Sequence, residues 1–156
     1  MGERATRIIV DDLSGAAVRA LLQVHVDSMR ANSPPGSCHF LDLDGLRAAD
    51  VTFWSAWVDD DLAGCGAVKQ LDPTHGEIKS MRTADAYVGA GVGSRMIEQI
   101  IDTALGRGYT RLSLETGSGA AFAAAIRLYL RFGFVECEPF GTYAADPFSR
   151  FMTLEL

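Results

Sequence analysis

The spacing of apolar residues in the first fifty positions predicts one strand followed by two helices. Residues 6–11 (TRIIVD) are rich in β-branched side chains, which favour a strand. Beyond Ser14 the apolar residues recur at steps of three and four, as on the buried face of a helix; they are Val18, Leu21, Leu22, Val26 and Met29. This helix must end before Pro34, because proline lacks an N–H donor and cannot continue it. A short second helix is expected over residues 43–49.

The middle of the chain predicts three consecutive strands joined by turns. Aromatic and β-branched residues fill positions 51–58, and two further runs of strand character occupy positions 62–71 and 77–83. The segments 59–61 (DDD) and 72–76 (DPTHG) separate these runs and consist largely of turn-forming residues. We therefore expect an antiparallel meander.

The last third of the chain alternates between strands and helices. Apolar residues recur with helical spacing through residues 92–105, and Gly106 and Gly108 are typical of a helix C-terminus. The remaining segments are predicted as a strand, a helix and two strands, at residues 111–116, 122–132, 134–138 and 151–156. A meander followed by this alternation predicts a mixed sheet with helices, which is an α+β fold.

The composition agrees with one compact domain spanning residues 1–156. Apolar residues make up 48% of the chain, enough for a buried core. Lys and Arg number 14 against 20 Asp and Glu, and this net charge of -6 disfavours a nucleic-acid or anionic-membrane binder. No signal peptide and no apolar run of the ~20 residues that span a bilayer is found, so a cytoplasmic protein is expected. The three cysteines, Cys38, Cys65 and Cys137, fit neither a disulfide framework nor a zinc site, so no metal is expected.

The segment 89–94 (GAGVGS) lies between a predicted strand and a predicted helix. Free N–H groups at a helix start, with the positive end of the helix dipole behind them, can bind an anion such as a phosphate. The segment lacks the Gly-Lys-Ser/Thr of a Walker loop, and Ser94 replaces the last glycine of a dinucleotide fingerprint. A dinucleotide site stays open as an alternative because Glu115 lies at the distance expected of a ribose-binding acid. A glycine turn without a ligand is the other alternative.

Two motifs resemble the GCN5-related N-acetyltransferase (GNAT) family. Residues 88–93 (VGAGVG) are similar to the family's Gln/Arg-x-x-Gly-x-Gly/Ala, and residues 125–134 (AIRLYLRFGF) to its A-x-x-L-Y-x-x-x-G-F helix. The resemblance implies a mixed, mostly antiparallel sheet of six to seven strands with about four helices, splayed between the fourth and fifth strands. It also implies direct transfer of an acetyl group from acetyl-CoA, as cosubstrate, to a primary amine of a small molecule. A homodimer is a candidate assembly on the same grounds.

The resemblance also implies a binding site for acetyl-CoA. Strand amides at Met81, Arg82 and Thr83 would bind the pantetheine chain. The turn and the helix start would bind the pyrophosphate through Val88, Gly89, Ala90, Gly91, Val92, Gly93 and Ser94.

Three positions depart from the family pattern. Val88 stands in place of the usual Gln or Arg, Ala90 where a basic residue is common, and Phe122 in place of a frequent Asn. We therefore expect reduced affinity for the cosubstrate. A non-catalytic or regulatory acyl-CoA-binding protein is the alternative function that these departures motivate.

Transfer to an amine requires a proton acceptor for the ammonium and a proton donor for the departing thiolate. By resemblance, Tyr129 is the candidate donor. Glu77 is the candidate base, because strand alternation would place it on one face with Lys79 and Met81, near the thioester. Glu115 is a second candidate base, and His25 and His39 are weaker ones. Four aromatic residues are candidates for the wall of the acceptor pocket: Trp54, Trp57, Phe140 and Tyr143.

Overall fold

The computed structural model describes residues 5–156, which contain one seven-stranded sheet and four α-helices. The strands are β1 Thr6–Val10, β2 Val51–Val58, β3 Asp61–Asp72, β4 His75–Thr83, β5 Arg111–Gly117, β6 Val135–Glu136 and β7 Ser149–Glu155. Their order in the sheet is β1-β2-β3-β4-β5-β7-β6. The α+β prediction and the predicted number of strands are therefore confirmed.

The helices cover both faces of the sheet and enclose two apolar cores. They are α1 Ala16–Asn32, α2 Leu43–Leu46, α3 Val92–Gly106 and α4 Ala123–Arg131. Helices α1 and α2 bury Leu21 and Leu46 against β2 and β3 on one face, whereas α3 buries Ile97 and Ile100 against the other. No helix in the described part of the chain is long and apolar enough to cross a membrane.

The sheet opens between β4 and β5. This is its parallel pair, and only His75, Gly76 and Glu77 pair with β5, opposite residues 111–113. The remainder of β4 pairs with β3 alone, while the remainder of β5 pairs with β7. The predicted splay between the fourth and fifth strands is thereby confirmed.

A β-bulge interrupts β4 at Ser80, which has a left-handed φ of 56°. Lys79 pairs with Ala67 and Arg82 pairs with Cys65, and both partners belong to the core under α1. Because directly paired residues project to the same face, Lys79 and Arg82 both point toward α1 although two residues separate them. Met81 packs instead on the α3 face. The expectation that Met81 shares a face with Glu77 and Lys79 was wrong, since it assumed unbroken alternation.

Candidate active site

The glycine turn leads into α3 through two left-handed residues. Gly89 has a φ of 81° and Gly91, the N-cap of α3, a φ of 85°. A Cβ atom at either position would meet nothing within 4 Å, so it is the backbone conformation that requires glycine there. At Gly93 the reason differs, because a Cβ atom would lie 2.9 Å from Leu128 Cδ2 on α4. Glycine is thus required by the left-handed backbone at Gly89 and Gly91, and by the close approach of Leu128 at Gly93.

The first turn of α3 presents amides that no protein group occupies. The first intrahelical hydrogen bond runs from the Arg95 N–H to the Gly91 carbonyl at 3.1 Å, so the three preceding amides have no partner in the helix. Within residues 5–156 we find no acceptor for the N–H groups of Val92, Gly93 and Ser94. Together with the helix dipole, these free donors make the start of α3 suited to an anion.

Two other amides of the turn are already used within the protein. The Val88 N–H donates to Asp85 at 3.4 Å, and the Ala90 N–H donates to the Tyr87 carbonyl at 3.1 Å. The anion site that the geometry supports is therefore centred on the start of α3.

An open cleft of about 650 Å³ runs between this turn, the end of β4 and helix α4. Nine of the ten residues predicted to bind acetyl-CoA line it: Met81, Arg82, Thr83, Val88, Gly89, Gly91, Val92, Gly93 and Ser94. Ala90 is the exception, since neither its side chain nor a free amide reaches the cleft. Leu128, Tyr129 and Arg131 of α4 form part of the opposite wall.

The end of β4 offers backbone donors to the same opening. The Ala84 N–H donates to the Ala63 carbonyl of β3 at 2.8 Å. Successive amides in a strand point to opposite sides, so the Arg82 amide faces β3 as well. The amides of Met81 and Thr83 therefore face the gap on the side of β5.

A second, smaller cavity of about 140 Å³ adjoins the cleft between β4, β5 and α1. The cleft and the cavity share Met81, Arg82, Ala121, Ala125 and Tyr129 among their lining residues. Unlike the cleft, the cavity is also lined by polar side chains that include His25, His39, Lys79 and Glu115. Two ligands could thus meet beside Met81 and Tyr129.

Tyr129 is buried on α4 at the boundary between the cleft and the cavity. Its ring packs edge-on against Phe134, with centroids 5.7 Å apart, and its hydroxyl makes no hydrogen bond within residues 5–156. Burial raises the pKa of the Tyr129 hydroxyl well above its usual value, so the group is protonated near neutral pH. An uncommitted, protonated hydroxyl at this position can donate a proton.

Glu115 projects from β5 into the cavity that Tyr129 borders. Burial raises the pKa of its carboxyl to about 7, although the nearby Ser149 hydroxyl and the charge of Lys79 oppose the shift. A carboxyl group with such a pKa is suited to accept a proton near neutral pH.

Glu77, the first candidate base, has a different environment. It is 4% exposed and accepts hydrogen bonds from the Tyr143 hydroxyl at 2.6 Å and from Lys79 Nζ at 3.2 Å. It lines a separate cleft of about 510 Å³ together with Lys79, Tyr143 and His39, and not the cavity beside Tyr129. The structure therefore does not bring Glu77 and Tyr129 into one cavity.

His25 and His39 both line the cavity, but they have different contacts. His25 is buried on α1 and accepts a hydrogen bond at Nδ1 from Arg82 Nε at 3.1 Å. Burial, helped by the charge of Arg82, lowers the pKa of His25 to about 4, which makes it a neutral and weak base. His39 packs edge-on against Tyr143, with ring centroids 5.1 Å apart.

The four candidate wall aromatics separate into two groups. Trp54 belongs to the core under α3, and Trp57 packs against the core under α1. Phe140 and Tyr143 instead pack on each other and on Phe151, beside the carboxylate of Glu77.

The sequence analysis missed the contact between Arg82 and His25. These residues lie 57 positions apart along the chain, and no local sequence pattern indicates the contact.

The fold and the site together define a class of protein. A parallel strand pair that opens beside free helix amides, with a buried tyrosine at the junction of two cavities, is the arrangement of an acyl-CoA-dependent N-acyltransferase. The chain belongs to the acetyltransferase (GNAT) family, whose sequence model matches residues 18–134. The family resemblance of the two sequence motifs is thereby confirmed.

Known proteins agree with this assignment. The chain is 54% identical over 149 residues to the uncharacterized N-acetyltransferase YsnE of Bacillus subtilis strain 168, covering 96% of this chain and 99% of the relative. The crystal structure of the putative acyl-CoA N-acyltransferase from Klebsiella pneumoniae matches with a TM-score of 0.78 at 25% identity, covering 97% of each chain. A Bacillus subtilis acetyltransferase in complex with CoA has the same fold, with a TM-score of 0.72 at 18% identity over 97% of this chain and 99% of that one. The protein is an N-acetyltransferase that uses acetyl-CoA as cosubstrate.

Proposed function

We propose that this enzyme transfers the acetyl group directly from acetyl-CoA to a primary amine of a small molecule, with both substrates bound at once. The observation that carries the proposal is the position of Tyr129 between the long cleft and the smaller cavity. The cleft suits an extended ligand with an anionic linker, and the cavity suits a second, small ligand. Because the two spaces adjoin, transfer needs no acetyl-enzyme intermediate.

The residues present fit acetyl-CoA in the cleft. The free amides of Val92, Gly93 and Ser94 would hold the pyrophosphate, and the amides of Met81 and Thr83 would hold the pantetheine chain. The side chain of Val88 is 69% exposed and adds no charge to this site. Binding would therefore depend mainly on backbone donors. The thioester of acetyl-CoA supplies the activated acetyl group.

Two side chains would move the protons of the reaction. Glu115 would accept a proton from the ammonium group of the acceptor, which frees the amine lone pair for attack on the carbonyl carbon. Tyr129 would give its hydroxyl proton to the sulfur as the carbon–sulfur bond breaks. The nitrogen loses its second proton as the amide forms, and this proton would return through water to the phenolate. The N–H groups facing the gap from β4 would stabilise the negative charge that develops on the carbonyl oxygen.

The role of Glu77 as the base stays a prediction, and the geometry favours Glu115 in its place. Glu77 would act as a positioning residue, because its carboxylate holds Lys79 and the Tyr143 hydroxyl beside the cavity. Both hydrogen bonds end on Oε2 of Glu77, so a direct proton transfer to Glu77 would use its other oxygen, Oε1.

The proposal is tested by acetyl transfer to a panel of small amines, detected as acetylated product by mass spectrometry. Tyr129→Phe is expected to lower kcat about 10²- to 10⁴-fold, because it removes only the proton donor. Its dissociation constant for acetyl-CoA should not change. Tyr109→Phe is the matched control, since Tyr109 is equally buried but its hydroxyl bonds to Gln70 outside the site.

Initial-rate kinetics and acetyl-CoA binding, measured on the same variants, separate direct transfer from the alternative functions. Intersecting initial-rate patterns for the two substrates are expected for a ternary complex, whereas parallel patterns would contradict direct transfer. Full activity of Tyr129→Phe would remove Tyr129 as the proton donor. Tight binding of acetyl-CoA with no product from any amine would favour the non-catalytic acyl-CoA-binding function.

A further inference from the structure

Arg82 places an unpaired positive charge in the cavity beside Tyr129. Its side chain is partly buried, and its Nε donates to the neutral imidazole of His25 at 3.1 Å. Within residues 5–156, no carboxylate lies within salt-bridge distance of this guanidinium. Lys79, the other cation of the cavity, is paired with Glu77 at 3.2 Å. The charge of Lys79 is thus neutralised by Glu77, whereas the charge of Arg82 has no counter-ion within residues 5–156.

The surroundings of Arg82 fix the guanidinium without balancing its charge. The β-bulge at Ser80 turns the side chain toward α1, where it meets His25. Since Nε is engaged, the two terminal nitrogens remain available as a fork of N–H donors. A partly buried cation is costly without a counter-ion, and the planar fork of arginine matches the two oxygens of a carboxylate.

We infer that the acceptor is an amine that also carries a carboxylate, as an amino acid does, and that Arg82 binds this carboxylate. The inference rests on the proposed function and narrows its substrate class. Glu115 and Arg82 line the same cavity, so they would hold the two ends of one such molecule. Polyamines and aminoglycosides are disfavoured, because their additional positive charges would face the unpaired charge of Arg82.

Matched acceptors test the inference. Each of a set of amino acids is compared with its own carboxamide, which keeps the amine and the side chain but loses the negative charge. The wild-type enzyme is expected to prefer the acid over the amide by at least about tenfold in kcat/KM. Arg82→Gln should lower kcat/KM for the acid about 10- to 100-fold more than kcat/KM for the amide, and so remove most of the preference for the acid.

Two further variants keep the result interpretable. Arg82→Lys keeps the positive charge but loses the planar fork of donors, so it should show an intermediate preference for the acid. This variant tests the inference if Arg82→Gln does not fold. Arg127→Gln is the matched control, because Arg127 is exposed on α4 and lines neither the cleft nor the cavity. It should retain the wild-type preference.

The outcomes separate this inference from the proposed function. Equal rates for acids and amides in the wild type would overturn the inference and leave acetyl transfer to amines intact. A rise in the KM for acetyl-CoA in Arg82→Gln, with the acid preference kept, would assign the guanidinium to the cosubstrate instead and would also overturn it. If no amine were acetylated while acetyl-CoA bound, the proposed function would fail and the inference with it.

Discussion

At the residue scale, Glu77 and Glu115 are two carboxylates on adjacent strands with different hydrogen-bonding environments. Glu77 is held by Lys79 and the Tyr143 hydroxyl, whereas burial dominates the environment of Glu115 and raises its pKa to about 7. Desolvation favours the neutral form of a carboxyl group, so Glu115 accepts a proton readily near neutral pH. Chemical type alone therefore does not decide which of them is the base.

The pH dependence of kcat/KM should identify the base. Below its folded-state pKa the Glu115 carboxyl is protonated and cannot accept a proton, so kcat/KM is expected to rise as the pH passes through about 7. Glu115→Gln should remove this rise and lower kcat/KM about 10²- to 10⁴-fold. The measurement is a pH–rate profile with both substrates varied.

Glu77→Gln provides the comparison for that profile. If Glu115 is the base, the rise near pH 7 should survive in Glu77→Gln even where the rate falls. A profile that loses its rise only in Glu77→Gln would instead make Glu77 the base.

At the element scale, the start of α3 depends on the left-handed conformation at its N-cap. Gly91→Ala should destabilise the protein by about 1–2 kcal/mol, because an L-residue is disfavoured at a φ of 85°. It should also weaken acetyl-CoA binding, since the free amides follow directly. Gly106→Ala is the control: Gly106 is helical, and a Cβ atom there meets nothing within 4 Å. This control should be neutral or stabilising by up to about 1 kcal/mol.

Urea denaturation and calorimetric titration with acetyl-CoA measure the two effects of the glycine variants. Unchanged acetyl-CoA affinity in a folded Gly91→Ala variant would contradict the placement of the anion site at this turn.

Element boundaries follow from local patterns, whereas the site depends on contacts between distant segments. Strand β2 begins and ends where the aromatic and β-branched run does, and the glycine turn precedes α3 as its sequence predicts. The second helix was predicted three residues too long, since α2 ends at Leu46. The β-bulge at Ser80 was missed because it arises from the register between β3 and β4. That one irregularity decides which face Arg82 and Met81 occupy, so alternation alone misplaced Met81.

At the scale of the whole molecule, the sheet carries one core on each face and is split between β4 and β5, beside the open cleft. The single domain over residues 1–156 stays a prediction, and residues 1–4 lie outside the described residues. Homodimerisation and a cytoplasmic location also stay predictions. The continuous sheet in residues 5–156 favours unfolding in a single cooperative transition.

Acetyl-CoA should shift that transition upward. A ligand that binds only the folded state at about 100 times its dissociation constant adds about 2.7 kcal/mol of stability. For a chain of this size, this corresponds to a rise in Tm of roughly 5–11 °C. Calorimetry with and without acetyl-CoA measures the shift, and NAD at the same concentration is the control. A comparable shift with NAD would revive the dinucleotide alternative, and two separate transitions would argue against a single domain.

The contact between Gly93 and Leu128 links the two ends of the reaction. Gly93 supplies one of the amides that would grip the phosphates, and Leu128 immediately precedes the tyrosine that would protonate the sulfur. Because residue 93 has no Cβ, the start of α3 can lie close to Leu128 and hence to Tyr129 on α4. An added methyl at residue 93 would force the Leu128 side chain to shift beside Tyr129, so we expect Gly93→Ala to lower kcat more than it weakens acetyl-CoA binding.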